Sequence, residues 1–331
     1  MKQAFITICI FVIMEGVMTN GCKRGTENPS DVTTPITPSD TTPPTLVHWK
    51  TKAPMPTTRQ DAASAVVGGK IYVFGGLDSS EHPVDITEIY DPATDTWSTG
   101  SRMPIGLNHA GAAVVNGKIY VIGGSRTVTI VPENLTLEYN PTTGFWTRKA
   151  NMPYARAALA AVSFGDSIFV FGGVGDSPKT VLKYVPALDV WMVKDNPLLT
   201  QREHLAASAV YGVIYVIGGR NEERNLGTVE AYSPFDDYWM RLNPSGIPRS
   251  GIVSAAIGTN IYVMGGELIG VGVFIDNWIF DTIDNQWIKK RPMLTGRHGM
   301  ASGVVNGKIY VIGGGTMPGV NPTNVNEEFT P

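Results

Sequence analysis

The chain is short of cysteine, of net charge and of long apolar runs, and each shortage removes a class of function. It has two cysteines in 331 residues, so no disulfide framework can hold the fold together. Its 26 Lys and Arg against 29 Asp and Glu leave a net charge of −3, without the basic excess that nucleic-acid binding requires. Its main apolar run, AFITICIFVIM at 4–14, is too short to cross a membrane as a mature helix. No P-loop and no nucleophile elbow occurs, and no His/Asp spacing supports a metal site. The sequence therefore implies no cofactor and no metal.

What the chain does have is glycine in pairs. Gly75-Gly76, Gly123-Gly124, Gly172-Gly173, Gly218-Gly219, Gly265-Gly266 and Gly313-Gly314 each follow an apolar strand, at steps of 48, 49, 46, 47 and 48 residues. A period near fifty with glycine and aromatic markers is the signature of a β-propeller. In the first copy, 59–97, RQDAASAVV, KIYVFGG, DITEIYDP and TDTWSTG read as four antiparallel strands. Gly68-Gly69, Asn116-Gly117, Gly165-Asp166 and Asn306-Gly307 supply the tight turns between the first two strands. The pairs Tyr90/Trp97, Tyr139/Trp146, Tyr184/Trp191, Tyr232/Trp239 and Phe280/Trp287 are read as packing between blades. A glycine pair lets the backbone of the next blade come close.

The ends set the number of blades. After the sixth pair the chain offers one third strand, NVNEEFTP, and no fourth strand bearing tryptophan; Trp49 lies 48 residues before Trp97 and supplies it. The expected fold is all-β: six blades of four antiparallel strands over 46–331, closed by the N-terminal strand completing the last blade, with no free sheet edge at the seam.

Diglycine after an apolar strand, then Tyr, then Trp, resembles the kelch family across all six copies. The resemblance implies the propeller fold. Kelch propellers include protein-binding scaffolds, sugar mutarotases and an oxidase lineage, so it leaves function open. The copper radical oxidase of that lineage needs a Tyr–Cys crosslink, for which the propeller has no cysteine, and the repeated aspartate-box turns of sialidases are absent.

Ahead of the propeller, 1–21 reads as an export signal, with Lys2 before the apolar run. Cys22 follows a small residue at the expected cut and resembles the acylated cysteine of a bacterial lipoprotein. The alternative is a secreted protein with a free thiol. The stretch 22–45, rich in Thr, Pro and Ser, reads as an extended tether. The expected location is extracytoplasmic, with the lipid as the membrane contact and the propeller a monomer.

Arg59, Arg156, Arg202, Arg249 and Arg297 occupy one equivalent position in five copies, where the innermost strand is expected to open; Leu107 holds it in the other. The loops after the glycine pairs lie on the same face and add Arg126, Arg220, Arg224, Glu222, Glu223, Glu267 and Asp176. Guanidinium forks bind carboxylates, so this mouth suits an acidic glycan, a carboxylate ligand or an acidic protein partner. Kelch propellers that bind acidic peptides use arginines at the opening of the innermost strand, which is what the resemblance implies for the five. A structural capping role fits their repetition equally well. Non-repeating Glu203, His204, His298, Arg126, Arg220 and Glu222 are the better candidates for specificity. Three functions remain: a recognition module, a sialic-acid mutarotase using Glu203 or Glu222 with His298 and Arg202, and a structural or adhesive surface protein.

Overall fold

The structure, a computed structural model, describes residues 48–331; the expected signal at 1–21, Cys22 and the tether at 22–45 lie outside the described residues. Regular structure among the described residues is entirely β. Blade 1 consists of Ala63–Val67, Lys70–Phe74, Thr87–Asp91 and Thr96–Thr99, paired antiparallel in chain order. Blades 2 to 5 repeat this order from Gly111–Val115, Ala160–Phe164, Ala206–Val210 and Val253–Ile257. Blade 6 joins Ala301–Val305, Lys308–Ile312 and Asn326–Phe329 to Trp49–Thr51. Trp49 stands opposite Phe329 and Thr51 opposite Glu327, so the closure expected from the two ends is present. Phe329 is the sixth blade's counterpart of Tyr90, its ring 4.9 Å from Trp49.

The core is six wedges rather than one centre. Each apolar cluster draws from two adjacent blades, as where Ala63, Tyr72 and Phe74 meet Leu107, Ile119, Leu137 and Tyr139. The second strand places one isoleucine per blade at the same depth: Ile71, Ile119, Ile168, Ile214, Ile261 and Ile309, all 0% exposed. Burying each contributes about 1.5–3 kcal/mol. The aromatic pairs stitch the wedges from outside. Trp97 Nε1 donates to Ala53 O at 2.8 Å and Trp191 Nε1 to Ala150 O at 2.9 Å, so each indole ties its blade to the segment arriving from the blade before.

A further latch repeats in blades 1, 3 and 4. Asp95, Asp189 and Asp237, at φ of 50–56° in the turn before the outer strand, accept from the Tyr90, Tyr184 and Tyr232 hydroxyls at 2.6 Å. They also accept from the incoming backbone at Ala53, Ala150 and Asp195. Burial pushes these carboxyls up, but the tyrosine and backbone donors and the neighbouring lysines outweigh it and hold them below the usual range.

The glycine pairs act as expected, at closer quarters than spacing can tell. A Cβ on Gly123 would stand 2.3 Å from Arg156 O of the next blade, and one on Gly75 would stand 2.1 Å from Leu107 O. The second glycine of each pair donates to that same carbonyl, Gly124 N to Arg156 O at 2.9 Å and Gly314 N to Arg59 O at 2.9 Å.

Candidate functional site

The innermost strand of blade 1 opens at Ala63, four residues after Arg59, and the same offset recurs around the ring. The five arginines therefore precede the strands, and their side chains turn back into the blades. Arg59, Arg156 and Arg297 are 0% exposed, Arg202 1% and Arg249 4%. Each donates to the carbonyl of its own blade's first paired glycine: Arg59 to Gly75 at 2.7 Å, Arg249 to Gly265 at 3.0 Å and Arg297 to Gly313 at 2.7 Å, with longer contacts from Arg156 to Gly172 and Arg202 to Gly218. In blades 1, 4 and 6 a third-strand glutamate completes the set: Arg59–Glu88 at 2.5 Å, Arg202–Glu230 at 2.5 Å and Arg297–Glu327 at 3.0 Å.

Arg156 instead donates to the carbonyls of Asp176, Ser177 and Thr180. Burial brings its guanidinium down to about 10 despite the opposing pull of Tyr154 and Asp176, so it remains charged at neutral pH. Arg249 lies 3.5 Å from Asp276. The belt expected to line the mouth is thus an internal brace. Its physical reason is the row of carbonyls that the glycine pairs turn inward: buried acceptors require donors, and arginine supplies five on one stem. Blade 2, with Leu107, meets Leu137 at the glutamate position and packs the pair apolar.

The residue after each arginine, and after Leu107 in blade 2, makes a short ladder with the residue after the glycine pair. Gln60 pairs with Leu77, Asn108 with Ser125, Glu203 with Arg220, Ser250 with Glu267 and His298 with Gly315. This places the non-repeating candidates together. Arg220 donates from Nε to Glu203 at 2.6 Å and from Nη1 to Glu267 at 2.6 Å. His298, 3% exposed, has Nε2 3.7 Å from Glu267 and Nδ1 3.2 Å from Gly315 O. Arg126 lies apart, paired with Glu133 and 56% exposed, while Glu222 is exposed at the tip of the blade 4 loop. The mouth is a balanced network in which Arg220 bridges two carboxylates, not a cationic ring.

A cleft of about 370 Å³ opens beside it between blades 3 and 4, lined by Gly175, Pro178, Gln201, Glu203, Arg220 and Glu222 among others. Exposed apolar side chains ride the surrounding loops after the glycine pairs: Val128 and Val131 in blade 2, Ile269 and Val271 in blade 5, and Met317 in blade 6.

One residue further along, the chain reaches the axis. Asp61, His109, Ala158, His204, Gly251 and Gly299 donate N–H to the preceding blade's carbonyl in a closed circle: Asp61 to Gly299, His109 to Asp61, Ala158 to His109, His204 to Ala158, Gly251 to His204 and Gly299 to Gly251. All six have φ between 51 and 61°. Spacing along the chain gives no hint of this circle, which needs all six blades in place. It brings Asp61, His109 and His204 together, with ligand atoms within 4.8 Å of one another. The three come from three different repeats, so no spacing along the chain reveals their meeting. Burial lowers the His109 imidazole, with Asp61 pulling it back and Arg220 and His298 adding to the fall. Burial, His109, Arg220 and His298 together hold His204 well below the ordinary range.

Comparison with known proteins agrees with the architecture. Residues 25–173 match the model of the KLHDC2/KLHL20/DRC7 Kelch-repeats domain, while 201–246, 296–331 and 248–294 match Kelch motif models. The human "Influenza virus NS1A-binding protein" is 32% identical over 98 residues, covering 28% of this chain and 15% of that protein. An "N-acetylneuraminate epimerase" of Haemophilus influenzae (strain PittEE) is 37% identical over 86 residues, 23% of each chain. The chain thus spans less than a quarter of the length of these relatives. The solved "Structure of YjhT" superposes with a TM-score of 0.71 at 18% identity, covering 84% of this chain and 96% of that one, a likeness of fold.

Proposed function

Because the chain belongs to the kelch-repeat family, we propose that it is an exported recognition module that takes a protein partner on its mouth face. The observation carrying this reading is the composition of that face: exposed Val128, Val131, Ile269, Val271 and Met317 stand around a polar cleft holding Arg220, Glu203 and Glu222. Apolar tips around a polar centre suit a protein surface, where burial supplies affinity and the charged groups fix register. The relative named for binding a viral protein is consistent with that use. Export rests on the pattern at 1–21, and tethering on Cys22 followed by the extended stretch at 22–45.

The test is a photo-crosslinking residue placed at Val131, Ile269 or Met317, and at exposed Phe235 in a turn at the opposite end of the blades, in the cells that make the protein. Discrete adducts from the first three positions are expected. Adducts from Phe235 alone would overturn the reading. Cys22→Ser is expected to move the protein from the membrane to the soluble fraction.

A second reading comes from the epimerase relative. It would have Glu203 and Glu222 flank an acidic sugar in the cleft, with Arg220 on its carboxylate; Arg202, buried against Glu230, is not available for that role. Anomer exchange of N-acetylneuraminic acid followed by proton NMR separates the readings: the recognition module leaves the rate unchanged, and acceleration abolished by Arg220→Gln would favour the enzyme.

A further inference from the structure

We propose that the axial circle binds one divalent ion of the zinc class through Asp61, His109 and His204, with its remaining coordination position facing the axial cavity. Three observations carry this. The first is tautomer. Asn108 Nδ2 donates to Ser125 O and Thr127 O, both at 3.1 Å, which fixes its Oδ1 as the acceptor facing His109 Nδ1. His109 Nδ1 therefore carries a proton, and Nε2 is the ring nitrogen that faces Asp61 Oδ2 at 3.5 Å. Gln60 is fixed likewise, its Oε1 accepting from Asn321 N at 2.7 Å while Nε2 donates to the same Asp61 oxygen at 2.9 Å. Nε2 and the carboxylate thus face each other at a separation that a shared cation can join. His204 completes the group with a ring nitrogen, its ring 4.8 Å from that of His109. An outer carboxylate or amide on Nδ1 is how metal-binding imidazoles are oriented.

The second is distance. Ligands of tetrahedral zinc at 2.0–2.1 Å lie about 3.4 Å from one another. The Asp61–His109 pair already has this separation, and the third ligand atom lies within 4.8 Å of the others. Two imidazoles and one carboxylate suit zinc and its neighbours rather than calcium or magnesium.

The third is backbone. A left-handed φ near 55° favours glycine, and blades 5 and 6 have Gly251 and Gly299 there. A Cβ on Gly299 would fall 2.2 Å from Asp61 Oδ1, so the small residue makes room for the carboxylate. Three blades place ligand-bearing side chains in this unfavourable conformation where the other three place Ala or Gly. A cavity of about 110 Å³, bordered by the circle and by Ala62, Ala110 and Leu205 among others, leaves space for a water on the ion.

The experiment uses the full chain, stripped with a chelator, dialysed against micromolar Zn²⁺ and assayed by mass spectrometry for bound metal. One ion per chain is expected, with affinity reduced at least 100-fold in His109→Gln and in Asp61→Asn and unchanged in exposed His82→Gln. Zinc-edge X-ray absorption on the wild type, which needs no variant, is expected to show imidazole and oxygen scatterers without sulfur. No bound zinc, zinc retained equally by the His109→Gln/His204→Gln double variant, or a sulfur shell from Cys9 or Cys22 would each overturn the proposal.

Discussion

Arg59 and Asp61 are two residues apart, yet their side chains serve opposite ends. Arg59 turns into its own blade, where Gly75 O, Ile86 O and Glu88 take its donors. Asp61 turns to the axis, where it faces Nε2 of His109. The arginine recurs in five blades, in each of which it donates to the carbonyl of the first paired glycine. The axial position holds aspartate, histidine, alanine, histidine, glycine and glycine in turn, because only the backbone circle is repeated there. Repetition in this propeller marks the brace, and departure from repetition marks the positions that the brace does not use.

Blade 2 sharpens the comparison, since Leu107 and Leu137 replace the Arg–Glu pair without loss of the blade. The largest effect is therefore expected from breaking a pair rather than removing it. Arg59→Leu leaves Glu88 buried and unpaired and is expected to destabilise by about 3–5 kcal/mol in urea unfolding. Adding Glu88→Leu recreates blade 2 chemistry and should recover most of that loss. A double variant no more stable than the single one would mean that the blades differ in more than these two side chains.

Next in size is Gly123→Ala. It adds a Cβ 2.3 Å from Arg156 O at φ 64°, which nothing at the blade interface can relieve. A loss of about 3 kcal/mol is expected, against a loss near 1 kcal/mol for Gly117→Ala, a turn glycine at φ 72° with open space around it. Equal losses would show that conformation alone, not close approach of the next blade, is what the pairs provide.

The smallest effect concerns the turn latches. Asp95, Asp189 and Asp237 have folded pKa values held below the ordinary carboxylate range. The unfolded chain takes up their protons first, so their contribution is complete above about pH 4 and is lost as pH falls through the folded values. The Asp95→Asn/Asp189→Asn/Asp237→Asn variant is expected to melt lower than wild type at pH 7, with the gap narrowing toward pH 3. A gap that stays constant would assign the latches no electrostatic part.

Much of this was legible in the sequence because it is periodic: the blade count, the closure by Trp49, the turns and the Tyr–Trp pairs each recur at one interval. The direction of the arginines was not, since periodicity says that a position matters and not which way its side chain turns. One signal pointed inward for three of the five: Glu88, Glu230 and Glu327 stand in the third strand of copies whose inner strand follows Arg59, Arg202 and Arg297, and Leu107 is matched by Leu137, whereas the Arg156 and Arg249 copies have Leu182 and Trp278 there. The axial cluster was out of reach, because Asp61, His109 and His204 meet only once six blades close a circle.

The central claim, that the repeated arginines brace the blades, is tested most directly by a double-mutant cycle on Arg59 and Glu88. The account predicts a large loss for Arg59→Leu, a large loss for Glu88→Leu and a coupling of about 2 kcal/mol or more between them. Independent effects, or an Arg59→Leu variant as stable as wild type, would contradict it.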